Sequence, residues 1–400
     1  MVVPTSDSSP PSLWTRNFFA VICAQVAFNY AASTYLLMPK FLATALGASA
    51  NDIGHVNAIP GLMAFMVAPF VGGFMDRVGR RPLVAAGAVC AFIASLAWMT
   101  VTELSPIVYP LQMLSGLSFM LTFNGSVTLV TDEAPAARLS QAIGVFGAAN
   151  ITMNALAPAI AEPVAERFGW SAAFGLAAAA AVVSLGLSRL VREPERPKAA
   201  SGNAYRDLID TFTVARRVFP NFFAMVACGA AFGAVFTFYQ PWVLSQGAKQ
   251  VSMFFVGFMI AAVVTRVGLG SIADRVGRRR VAVRSFSAYA LVVAAMTQLT
   301  PSALFWFGLA FGSAHGFFYP ALNALTIELT HASERGRAMA LVNGAFHLGN
   351  TTSVVTFGWV AHAYGFPPVF VLAALVAGVG ALTLHLDGSR SAANARASAT

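Results

Sequence analysis

The chain has 400 residues, 57% of them hydrophobic and only 10% charged, with a mean hydropathy of +0.69. A water-soluble protein clothes its surface with about 25% charged residues, so lipid must replace water around most of this chain. The net charge of +9 is scattered over short loops, with no basic stripe carrying interleaved aromatics, which argues against a nucleic-acid partner.

A helix needs about 20 apolar residues to cross the hydrocarbon layer. The tail 1–16 lacks a charged n-region and a cleavage site, so no cleaved signal is expected. Spans follow at 17–38, 53–75, 83–102, 107–131, 140–165 and 172–190. The polar stretch 191–217, with Pro194, Pro197, Ser201 and Gly202, reads as a linker with a short surface helix around 205–216. Six more spans run 218–244, 251–273, 281–300, 303–329, 338–363 and 368–386, before a tail at 387–400. Strand alternation at barrel spacing is absent, and only helices satisfy so much backbone in lipid. The predicted fold is an all-α membrane protein of twelve helices in two six-helix bundles, 17–190 and 218–386.

Sidedness follows from the 25 Lys and Arg residues. With the N-terminus inside, only Lys40, Arg167 and Lys249 face outward, and Arg266 lies within a span. The remaining basic residues gather on inside loops and tails, which places both termini in the cytoplasm. The basic loops also meet anionic lipid heads. Cys23, Cys90 and Cys228 fall inside spans with no metal or redox spacing and read as packing residues. Met63 and Met66 have no flanking Cys or His and read as packing too, so no metal is expected.

One decapeptide is written twice. GGFMDRVGRR runs from Gly72 to Arg81, and its twin lies in GLGSIADRVGRRR, with Asp274 standing almost half a chain after Asp76. The repeat extends further. YLLMPKFLATALGAS and FYQPWVLSQGA each place a Gly soon after a Pro, and TDEAPAAR and THASERGR close corresponding spans. Like halves joined by one linker are the parallel repeat of transporters that hold substrate between the halves.

These residues resemble the major facilitator superfamily, over nearly the whole chain. Its loop signature is matched at Gly72, Asp76, Arg77, Gly79, Arg80 and Arg81, and again at Gly270, Asp274, Arg275, Gly277, Arg278 and Arg279. Arg266 before LGSIADRVGRR, with YPALNALTIELT, resembles the bacterial efflux-type permeases of the sugar and drug exporter groups. Two positions depart from the proton-coupled pattern. Gln112 stands where an Arg precedes Gly116, and only Pro158 survives of the helix 5 antiporter motif, here Ala157-Pro158-Ala159-Ile160-Ala161. The resemblance implies that Asp76 and Asp274 each face a helix N-terminus of the other half, with Arg80 bridging to Asp132 or Glu133 and Arg278 to Glu328. Together these would form a cytoplasmic gate.

No Asp or Glu lies mid-span; Asp52, Glu162 and Glu166 sit at outer ends and Glu328 near an inner one. The titratable candidates at depth are Arg266, His315 and His347, and histidine suits a proton-coupled switch. Snorkelling for Arg266 and packing for the histidines are the alternative readings. Candidate cavity residues are Gln25, Asn29, Gln112, Asn124, Asn150 and Asn154 in the first half. The second half offers Tyr239, Gln240, Tyr319, Asn323 and Asn343. Gln25 and Asn29 share a helix face, as do Asn150 and Asn154; interhelical hydrogen bonding competes with a lining role for all of them. Phosphate-cradling loops, nucleophile triads and zinc spacings are missing, so the chain reads as no enzyme, with no cofactor beyond an ion gradient of protons. The expectation is a monomeric secondary transporter of the inner membrane that exports a small organic or amphipathic solute. Uptake by symport or facilitated diffusion is the rival, and a non-transporting sensor on the same scaffold is the rival of another class.

Overall fold

The computed structural model describes residues 13–135, 138–193, 213–265, 275–331 and 334–397. Among these the regular structure is helical throughout. The first half holds α1 (Arg16–Thr34), α2 (Met38–Ala45), α3 (Ala50–Val78), α4 (Arg80–Trp98), α5 (Val108–Glu133), α6 (Leu139–Phe168) and α7 (Trp170–Ser188). The second holds α8 (Phe219–Ser245), α9 (Ser252–Val263), α10 (Arg278–Ala295), α11 (Leu304–Glu328), α12 (Arg335–Tyr364) and α13 (Phe366–Ala397).

The first span runs longer than expected and is broken. Pro39 cannot donate a backbone N–H to Tyr35, so the chain tightens into a 3-10 turn over Tyr35–Leu37 and resumes as α2. With α1 and α2 counted as one bent pass, the described helices make twelve passes. At the other end, α13 continues to Ala397 past the expected end of its span, through a stretch rich in strong helix formers such as Ala and Arg.

Tight turns between helices fall on glycines with positive φ, a conformation that costs other residues a steric penalty. Six occur among the described residues, and they form three pairs about half a chain apart: Gly47 with Gly247, Gly79 with Gly277, and Gly169 with Gly365. The members of each later pair have nearly the same angle, 106° and 102° at the doubled decapeptide, 85° and 82° at the other. The repeat is therefore written into the backbone as well as the side chains.

Within the first half α1 packs on α6 and α7, and α4 on α5 and α7; within the second α8 packs on α12 and α13, and α9 on α11. The α9–α11 contact is reciprocal, since a Cβ on Gly257 would strike the Phe305 carbonyl and one on Gly308 the Phe254 carbonyl. Such small-residue approaches are how helices associate where lipid is as apolar as the side chains. Large apolar side chains face outward instead, among them Phe70, Leu291, Trp306 and Leu375.

The two ends of the bundle differ. One, the motif face, carries the turns at Gly79 and Gly277. Thr15, preceding α1, donates to Glu133 at the end of α5 (2.6 Å), and Arg279 pairs with Asp387 of α13 (2.7 Å), so both described chain ends lie there. The other, the lysine face, carries Lys40 and the turns at Gly169, Gly247 and Gly365.

Candidate functional site

At the lysine face the two halves meet around a buried ion pair. Lys40 of α2 is 5% exposed and Glu162 of α6 is 0% exposed. The Lys40 ammonium has three protons and three acceptors: Glu162 Oε1 at 2.7 Å, Glu166 Oε1 at 3.0 Å, and the Lys249 carbonyl across the seam. Glu162 reaches into the second half as well, where Oε1 accepts from Val251 N (2.7 Å) and Oε2 from Ser252 N (2.8 Å), at the start of α9. Gln250 donates to Glu166 Oε2 at 3.2 Å. A buried ion pair holds only when the remaining valences are satisfied, and here each is.

Gln240 completes this seam. Its Nε2 donates to Leu36 O (2.7 Å) and its Oε1 accepts from Lys40 N (3.2 Å). Leu36 O and Lys40 N are the two groups an unbroken helix would join to each other; at the break made by Pro39, both meet a side chain from the other half. A second seam runs between α3 and α12. A Cβ on Gly54 would lie 2.6 Å from Val354 O and 3.0 Å from Gly358 Cα, so at this point backbone touches backbone.

Between the ends the polar candidates divide. Gln25 Nε2 donates to Asn29 Oδ1 (3.2 Å) and Asn150 Oδ1 (3.1 Å), Asn29 donates to Asn150, and Ser33 donates to Asn154 Oδ1 (2.9 Å). These side chains tie α1 to α6 inside the first half. Asn124 donates to Met120 O of its own helix at 2.8 Å. Gln112 is buried, with Oε1 lacking a hydrogen-bond partner among the described residues, and Asn323 Oδ1 is in the same position. Tyr319 donates to Asn343 Oδ1 at 2.8 Å, joining α11 to α12.

Two candidates are not cavity residues. Tyr239 is fully buried in the second half, its ring 4.3 Å from that of Phe254 and its hydroxyl donating to Val251 O (3.1 Å). Its helical neighbour Gln240 belongs to the seam just described. His315 is buried among rings, with centroids at 5.3 Å for Phe232, 5.5 Å for Tyr319, 5.9 Å for Phe258 and 6.0 Å for Tyr289, and Cys228 Sγ lies 3.9 Å from Nδ1. His347 is half-buried beside Phe346. Arg266, Gly270 and Asp274 lie outside the described residues, as do the surroundings of Gly72 and the side chain of Asp76.

At the motif face Arg80 Nε lies 3.1 Å from Asp132 Oδ2, an ion pair off the hydrogen-bonding axis. Glu133, the other expected partner, accepts instead from Thr15 and Asn17. The first amides of α4, those of Arg80 and Arg81, are capped by Glu193 at 2.7 and 2.8 Å, and Arg81 Nη2 donates to Arg189 O at 3.0 Å. In the second half Arg278 Nη1 meets Glu328 Oε1 at 2.8 Å, while Arg77 and Arg275 are exposed. These pairs each close within one half.

The family model described as Major Facilitator Superfamily matches residues 18–249 and again 221–399. The chain belongs to this superfamily. It is therefore a multi-pass membrane transporter and not an enzyme. Two relatives called "Multidrug resistance protein MdtG" are similar over almost their whole length. The one from Enterobacter lignolyticus (strain SCF1) is 24% identical over 405 residues, 97% of this chain and 96% of the relative. The one from Escherichia coli O81 (strain ED1a) is 22% identical over 389 residues, 92% and 93% of the two chains. Among solved structures, a mutant of the nucleoside transporter NupG superposes with a TM-score of 0.79 at 15% identity, covering 92% of this chain and 98% of that one. A mutant of the peptide transporter POT in complex with sulfate also gives 0.79, at 12% identity, covering 96% and 97%. At such identities the likeness is one of fold.

Sequence reasoning places the superfamily's loop signature but misses the lysine face. Lys40 reads as an outward surface charge and Glu162 as a helix-end carboxylate; both are buried. One signal was available. Glu162 and Glu166 stand four apart and so share a face of α6, and that face is the one Lys40 meets.

Proposed function

We propose that this superfamily transporter exports a small amphipathic compound in exchange for protons. The observation that carries this reading is the chemistry of the interior. Among the described residues no Asp or Glu lies mid-span, and the faces between the two charged ends offer amides, hydroxyls and a cluster of aromatic rings. Such surfaces suit a solute with apolar bulk and few charges. The MdtG relatives, named for multidrug resistance, favour outward movement.

In this reading the protein sits in the inner membrane as a monomer, with the motif face and both termini in the cytoplasm. The excess of Lys and Arg on that face supports the orientation. His315 is the first candidate for the coupling proton, since histidine titrates near physiological pH and the ring joins α8, through Cys228 and Phe232, to α11. His347 is the second. The loop motif acts as the cytoplasmic gate, with Asp76 and Asp274 as its charged ends.

The test is flux. In everted membrane vesicles with an acidic lumen, ethidium and uncharged amphipathic dyes should accumulate inside, and a protonophore should abolish the accumulation. Movement that ignores the gradient would leave facilitated diffusion as the activity. His315→Ala should remove gradient-driven accumulation while leaving downhill dye equilibration; if His315→Ala and His347→Ala both keep accumulation, neither carries the proton.

A further inference from the structure

The two halves start corresponding helices in different ways. α3 begins with its own cap: Ser49 Oγ accepts from Asp52 N at 3.2 Å, and Asp52 Oδ2 accepts from Ser49 N at 3.0 Å. The corresponding helix of the second half, α9, follows Gly247 as α3 follows Gly47, but Val251 at its N-cap has no side-chain acceptor. The groups that accept from Val251 N and Ser252 N are the two oxygens of Glu162, on the opposite half. The start of a helix presents unpaired N–H donors and the positive end of its dipole, so α9 is complete only when the halves touch.

The charges make the arrangement one-sided. Lys40, Glu162 and Glu166 all belong to the first half and stay together when the halves part, leaving one net negative charge among them. In the closed arrangement that charge faces the α9 N-terminus. Tyr239 packs alongside through its bond to Val251 O, and Lys249 contributes its carbonyl to Lys40. Separation removes the amides from Glu162 and the carboxylate from α9 in a single step.

We infer that Glu162 is the positioning residue for closure of the lysine face: it recognises the second half as an N-cap supplied in trans, and Lys40 serves to hold that carboxylate charged and aimed. This holds whichever way the solute moves and whatever ion drives it, so it can fail without the export reading failing, and the reverse.

The experiment separates the cap from the ion pair. Spin labels go at Phe168 and Tyr364, exposed ends of α6 and α12 on the two halves, in full-length protein whose Cys23, Cys90 and Cys228 are replaced by Ala, in lipid nanodiscs. Two double variants are compared. K40M/E162Q removes both charges but keeps one acceptor oxygen, enough for one of the two α9 amides; K40M/E162L removes that acceptor too. The first should keep most of the short-distance population. The second should shift the open-to-closed ratio by about tenfold toward open, the size expected for losing a partly buried contact at a helix end, and only in the second should hydrogen exchange accelerate at both the Val251 and Ser252 amides. The swap K40E/E162K rebuilds the pair but sets an ammonium against the α9 N-terminus, and should stay open. Equal distance distributions for the two doubles, or closure restored by the swap, would overturn the assignment. Should the leucine variant fail to fold, Glu162→Asp, whose carboxylate ends one methylene short of the α9 amides, supplies the same contrast: opening supports the cap, unchanged closure sinks it.

Discussion

The two seams that join the halves at the lysine face use opposite physics. Between α3 and α12 the contact is glycine on glycine, with Gly54 and Gly358 bringing backbones together. Between α6 and α9 the corresponding contact is a buried carboxylate aimed at a helix start. Dispersion over a flat glycine surface is short-ranged and fails at once when a side chain intrudes. A charge at a helix end has longer reach and orients its target. The difference teaches how a transporter can have a closed end that is both tight and reversible: one seam measures distance, the other measures alignment.

The largest expected effect lies in the glycine seam. Gly54→Leu starts with a Cβ 2.6 Å from the Val354 carbonyl, where a backbone atom cannot swing aside, so closure should be lost and gradient-driven dye accumulation should fall to background. Gly358→Ala is milder, since its Cβ meets Ala50 O and Gly54 Cα at 3.1 Å each. Overpacking of this kind costs about 1–3 kcal/mol, which should appear as a lengthened Phe168–Tyr364 distance with partial transport. If Gly54→Leu transports normally, the seam is not a close contact in the working cycle.

The carboxylate seam should rank next. Gln240→Leu leaves Leu36 O and Lys40 N facing an apolar group, at a cost of about 1–3 kcal/mol for buried unsatisfied groups; the same distance measurement should show more of the open form, less than for Glu162→Ala. Glu166→Gln should do least. Glu166 is one-third exposed, and pairs that see solvent contribute about 0–1 kcal/mol, so its distance distribution should overlay that of the unaltered protein. An effect of Glu166→Gln as large as that of Glu162→Ala would erase the distinction between capping and charge pairing.

Much of the architecture is legible in the sequence. The doubled decapeptide and the membrane-length apolar runs suffice for two like bundles, while the positive φ at the glycines 79 and 277 is seen only in the fold. The site was legible only in part. The Gln25–Asn29 and Asn150–Asn154 spacings show shared faces, but not that the two faces meet each other and so become glue between α1 and α6. Tyr239 and Gln240 are adjacent in sequence and point about 100° apart around their helix, one into the second half's core and the other into the seam. Lys40 and Glu162 are separated by three intervening passes, and nothing local says that they touch.

What the chain determined by itself is the set of helices and their two-fold repetition, because apolar length, proline, glycine and charge act on the few residues around them. What only the tertiary structure decided is which polar groups face solute, lipid or the opposite half. That choice depends on how helices rotate and slide when packed, so a lysine beside a proline became a buried hub, and a carboxylate at a helix end became the cap of a helix it shares no sequence with.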